Sequence, residues 1–86
     1  MIHVTTLLSS DRDHAIDRLN AAANRVDEVT AVESFVTNLI PVHRAWEMVR
    51  DCQLLQWIDG RLVLTLRPEP GSIVGQRVEF PEVTER

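Results

Sequence analysis

His43, Glu47, Asp51 and Cys52 are the residues whose types and spacing come closest to chemistry. His43, Glu47 and Asp51 recur every fourth residue, so on a helix they share one ridge, as metal ligands or an acid–base pair would require. Metal sites normally close with ligands from other elements, and neither His3 nor His14 stands at ligand spacing from another histidine. Glu47 and Asp51 on an open ridge lack the pocket that drives two carboxyl pKa values apart. Paired with Arg44 and Arg50, the ridge reads as a solvated helix face. Cys52 as a nucleophile with His43 as its base fails on distance: nine residues of one helix are about 13 Å of rise. The thiol also falls on the apolar side, where a small buried residue belongs. Gly60, Gly71 and Gly75 are scattered, so no phosphate loop forms, and no Gly-x-Ser-x-Gly pattern occurs. The sequence therefore assigns no catalytic, metal-binding or cofactor-binding residue and no cofactor, and the expectation is a protein that is not an enzyme.

The 86 residues suit one domain, read as residues 1–80 followed by a short polar tail at 81–86. Net charge is −4, and arginine is the sole basic side chain apart from histidine. Such a bias follows from a high-GC genome, or from a need for bidentate pairing with carboxylate or phosphate. Residues 1–40 hold six acids against Arg12, Arg18 and Arg25, whereas residues 41–80 balance five acids with five arginines. That balance disfavours a general attraction to nucleic acid. One cysteine excludes an internal disulfide framework. No apolar run reaches the ~20 residues of a membrane span, and no secretion signal precedes the first element, so a cytoplasmic protein without a membrane partner is expected.

The elements that must position these residues can be read from periodicity. Ile2 to Leu8 is short and β-prone, a strand or a packed arm, with strand the better fit. Ser9 and Ser10 offer N-caps, and Ala15, Leu19, Ala22, Val26 and Val29 make an apolar stripe for a helix near 11–27. Over 30–40 the signals conflict. Thr30-x-x-Glu33 matches a capping box, and Val32, Phe35, Val36 and Leu39 match helical spacing. The same stretch is rich in β-branched residues and ends before a proline. The spacing predicts a short helix there. Pro41 opens a further helix to about residue 52, with Val42, Ala45, Trp46, Val49 and Cys52 on its apolar face.

Asp59-Gly60 stands between two apolar β-prone runs and suits a type I′ turn, whose central residues both need positive φ. That turn sets Ile58 against Arg61, Trp57 against Leu62 and Leu55 against Leu64. Leu55, Trp57, Leu62, Leu64 and Leu66 then share the buried face. Glu69-Pro70-Gly71-Ser72 suits a type II turn into a third strand, Ile73 to Phe80, with Val74, Val78 and Phe80 inward and Gly75 at a bulge. The predicted fold class is α+β: a small two-layer domain with two or three N-terminal helices, then a three-stranded antiparallel meander, with an extra N-terminal strand if Ile2 to Leu8 pairs.

The function expected is a small non-catalytic interaction module: a subunit, adaptor or inhibitor that docks on another protein or on a second copy of itself. Its surface is the second sheet face, with Leu54, Ile58, Val63 and Thr65 at the centre and Arg61 and Arg67 at the rim. The last strand is expected to offer a free edge as well. A different class of function, duplex DNA binding, is suggested by the order of two short helices and a hairpin, as in a winged helix. On that alternative, residues 41–52 form the recognition helix and 57–65 the wing, with His43, Arg44, Arg50 and Arg61 meeting DNA. The acidic balance and the unsuitable turn Asn38-Leu39-Ile40-Pro41 argue against it.

Overall fold

A computed structural model of the chain describes residues 4–6, 11–24, 27–33, 36–73 and 75–84. The elements in chain order are β1 (Val4–Thr6), α1 (Asp11–Ala23), β2 (Glu28–Glu33), β3 (Val36–Pro41), α2 (Val42–Asp51), β4 (Leu54–Ile58), β5 (Arg61–Thr65) and β6 (Arg77–Thr84). The fold is α+β: two helices on one antiparallel sheet with strand order β1-β4-β5-β6-β2-β3.

The hairpin β4–β5 carries the expected register, with Ile58 against Arg61, Trp57 against Leu62 and Leu55 against Leu64. Asp59 and Gly60 both have positive φ, 53° and 78°, as a type I′ turn demands. Gly71 has φ 89°, and the Ser72 N–H donates to the Glu69 carbonyl at 2.9 Å, which makes 69–72 a type II turn. Gly75 is needed for a different reason: a Cβ there would collide with the Leu66 carbonyl oxygen, where the chain closes back on β5. The register shift of the β5–β6 ladder falls instead at Arg61/Leu62.

One face of the sheet is covered. Leu55, Trp57, Leu62, Leu64, Val78, Phe80, Val29 and Ala31 cluster with Ala15 and Leu19 of α1 and with Ala45, Val49 and Cys52 at α2. The alanines let the helices approach the strands closely. Each buried Leu or Phe contributes about 1.5–3 kcal/mol. Helix α2 has the anticipated faces, and Pro41 stands at its N-cap position.

Several expectations give way. Residues 30–40 form no helix; β2 and β3 pair over their full length, from Glu28 with Pro41 to Glu33 with Val36. The β-branched residues and the restriction that Pro41 places on Ile40 prevail over the helical spacing. The two-helix unit required by a winged helix is therefore not formed, since β3 runs directly into α2. Helix α1 ends at Ala23, short of the anticipated 27; Val26 lies outside the described residues. The meander gains β2, β3 and β1 to become six strands. Residues 4–6 extend the sheet at β4 rather than crossing its face. The last strand runs to Thr84 with Val83 only 1% exposed, so residues 81–84 belong to the sheet and not to a tail. β6 lies between β5 and β2 and has no free edge; the edge strands are β1 and β3. Val74 and the arm residues 1–3 and 7–10 lie outside the described residues.

Candidate functional site

The face of the sheet opposite the helices is built by strand alternation. Residues that oppose each other across a ladder share a face, so the register places Leu54, Gln56 and Ile58 of β4 beside Arg61, Val63 and Thr65 of β5. Arg77 and Glu79 of β6 continue the row, followed by Thr30 and Val32 of β2 and Thr37 and Leu39 of β3. No described element packs across these side chains. Leu54, Ile58, Val32 and Thr65 are half-buried, and Leu39 is 67% exposed.

The structure thus brings together five of the six residues that the sequence proposed for docking: Leu54, Ile58, Arg61, Val63 and Thr65. Val63 differs from the others in being only 2% exposed. It sits between Gln56 and Glu79, and Glu79 is held over this part of the face by Arg61 at 4.0 Å and Arg77 at 3.4 Å. Val63 is therefore buried on this face, whereas Leu54, Ile58, Arg61 and Thr65 are partly or well exposed on it. Arg67 does not join the face. It lies beyond β5, and its Nε donates to the Asp51 carbonyl at 3.2 Å, drawn to the free carbonyls at the end of α2.

Arg77, Val32, Thr30 and Leu39 were missing from the sequence-based surface. Arg77 and Glu79 were recoverable by alternation once Val78 and Phe80 were placed inward. The other three were hidden by the helical reading of 30–40.

The DNA-reading set is not gathered. His43, Arg44 and Arg50 lie on the exposed side of α2, in the helical layer, while Arg61 is on the opposite sheet face. Arg44 pairs with Glu47 at 3.0 Å, both well exposed, an interaction of about 0.3–0.5 kcal/mol. Cys52 is buried, with its Sγ donating to the Val49 carbonyl and accepting from Arg12, each at 3.2 Å. His43 is exposed on the helix surface. The two therefore do not make a nucleophile–base pair.

Arg12 makes the most extensive polar contact among the described side chains. From α1 it donates to the carbonyls of Val49 (2.6 Å), Arg50 (3.1 Å) and Cys52 (3.2 Å), capping the negative end of α2. Trp46 and Trp57 bury indole Nε1 atoms that have no partner among the described residues. An open crevice of about 620 Å³ lies where the chain turns from β5 to β6, lined in part by Arg67, Glu69, Gln76 and Arg77, with no histidine or cysteine. Among the described residues no three His, Cys, Asp or Glu side chains converge as metal ligands, and no helix is long and apolar enough to cross a membrane.

Comparison with protein-family models, with curated proteins and with solved structures gives no match to this chain. The reading of its function rests on its own surface.

Proposed function

We propose that the chain is a non-catalytic protein-docking module that works through the open face of its sheet. The observation that carries this reading is the asymmetry of the two layers: both helices cover one face, and the other presents apolar side chains among threonines and arginines. Six strands about 4.8 Å apart, with about five residues of each on average in register, give about 400 Å² in projection. Side-chain relief brings that towards the ~600–800 Å² that each partner contributes to a standard interface.

Leu54 and Ile58 on β4 and Val32 and Leu39 on β2 and β3 are the anchors, and Arg61, Arg77 and Glu79 stand between them on the central strands β5 and β6. Arg61 and Arg77 share a single carboxylate, Glu79, which leaves one positive charge there for an acidic group on the partner, and the exposed Glu28, on the same face beyond Thr30, offers a negative one to a basic group. The partner is another protein that offers apolar groups with both an acidic and a basic side chain among them.

Affinity capture of the tagged protein from its own cells, with and without nuclease, tests the class of partner. A stoichiometric protein that survives nuclease supports docking. Recovery of nucleic acid alone, lost with nuclease, overturns it.

A further inference from the structure

We infer that two copies of this chain pair edge to edge through β3, forming one continuous antiparallel sheet about a twofold axis at Asn38. Among the described residues β3, six residues long, is a terminal strand of the sheet and pairs with β2 on one side only. Edge strands of this length are normally blunted by charge or a bulge. Val36–Pro41 carries no charged residue, and its ladder to β2 is unbroken. Among the described residues three large apolar side chains stand well exposed, and two are on this strand: Val36 at 57% and Leu39 at 67%.

The hydrogen-bond phase of the strand selects the pairing. The Val42 N–H donates to the Asp27 carbonyl at 3.2 Å. Carried along the β2–β3 register, this phase turns the backbone groups of Val36, Asn38 and Ile40 towards β2 and those of Thr37, Leu39 and Pro41 outward. Pro41 therefore lacks only an N–H that would have pointed away from the ladder. The free edge offers two N–H groups, from Thr37 and Leu39, and the carbonyls of both.

A second copy satisfies all of them when Thr37 pairs with Leu39 across the axis and Leu39 with Thr37. In that register, on the helix-side face, Val36 meets Ile40 of the other copy and Asn38 meets its own counterpart, so apolar groups oppose apolar groups and amide opposes amide. The alternative centred on Leu39 sets Asn38 against Ile40. It also leaves the Thr37 carbonyl facing a proline that cannot donate. Absence of charge on the strand lets two acidic chains approach there, whereas their net charge of −4 each disfavours many other contacts. A single pair of strands gives a small, transient interface. The inference does not rest on the docking reading, because the pairing follows from the backbone edge of β3; Leu39 is the residue that both readings use.

The test combines sedimentation equilibrium with cysteine cross-linking. The mass should rise from 9.8 kDa towards twice that value as concentration approaches about 1 mM, the regime of weak association. Asn38→Asp, which sets two like charges face to face, should weaken dimerisation at least about tenfold. Under mild oxidation Asn38→Cys should give a disulfide-linked dimer, since a non-hydrogen-bonded pair places its Cα atoms about 4.5 Å apart. Thr37→Cys and Leu39→Cys should not, because their symmetry mates lie on diagonals of roughly 7–8 Å. The wild type, with buried Cys52, is the control. A mass that stays at 9.8 kDa throughout, an Asn38→Asp protein that dimerises like wild type, or cross-linking at 37 or 39 in preference to 38 overturns the inference. Circular dichroism of each variant confirms that the fold is retained.

Discussion

Replacing Arg12 with methionine removes the guanidinium and keeps most of the aliphatic stem, so the variant isolates the contacts that tie α1 to the end of α2. Three carbonyls lose the guanidinium: Arg50, Cys52 and Val49, the last of which keeps the Cys52 Sγ as a donor. The Arg50 contact is exposed, and water replaces it at little cost. The Val49 and Cys52 contacts are part-buried. A hydrogen bond from a charged donor contributes about 1.5–3 kcal/mol, and partial exposure reduces each of these two to about 1 kcal/mol. A cation at a helix C-terminus adds about 0.3–1 kcal/mol. The expected loss is about 2–3 kcal/mol, or about 10–20 °C in Tm for a chain of this size. Arg12→Lys keeps the charge but not the fork that spans several oxygens, so it should lose about half as much. Urea unfolding followed by far-ultraviolet circular dichroism measures both. An Arg12→Met protein within about 0.5 kcal/mol of wild type would refute the assignment of Arg12 as the helix clamp.

Three further substitutions test the packing. Leu64→Ala removes a fully buried side chain at the centre of the sheet and should cost about 2–5 kcal/mol in the same urea assay. Val63→Glu puts a carboxylate at a buried position beside Glu79 in the ladder and should lower stability by about 1–3 kcal/mol in that assay. Gly75→Ala drives a Cβ against the Leu66 carbonyl and should cost about 1–3 kcal/mol, read as a lowered Tm.

Much of the sheet was legible because its signals are local. Asp59-Gly60 and Pro70-Gly71 specify their turns through φ, and the first of them sets every inward residue of β4 and β5. The stretch 30–40 was not legible in the same way. Thr30, Glu33 and the spacing of Val32, Val36 and Leu39 imitate a helix. What decides for strand is partly distant: Val32 and Glu33 pair with Glu79 and Val78, more than forty residues away in sequence. The candidate surface shows the same division. Its β4 and β5 residues followed from one turn. The burial of Val63 depends on β6, and the withdrawal of Arg67 on the end of α2, neither of which a pattern along the chain contains.

The central claim is that the open sheet face docks a protein. It is tested most directly by comparing how much partner is captured by wild type, by Ile58→Asp on that face and by Arg44→Glu on the helical side, each confirmed as folded. The account predicts one protein recovered by wild type and Arg44→Glu in equal amount and reduced at least about tenfold by Ile58→Asp, the loss of an interface anchor of about 1.4 kcal/mol or more. Equal recovery with Ile58→Asp, or loss with Arg44→Glu alone, would contradict it and move the site to the helices.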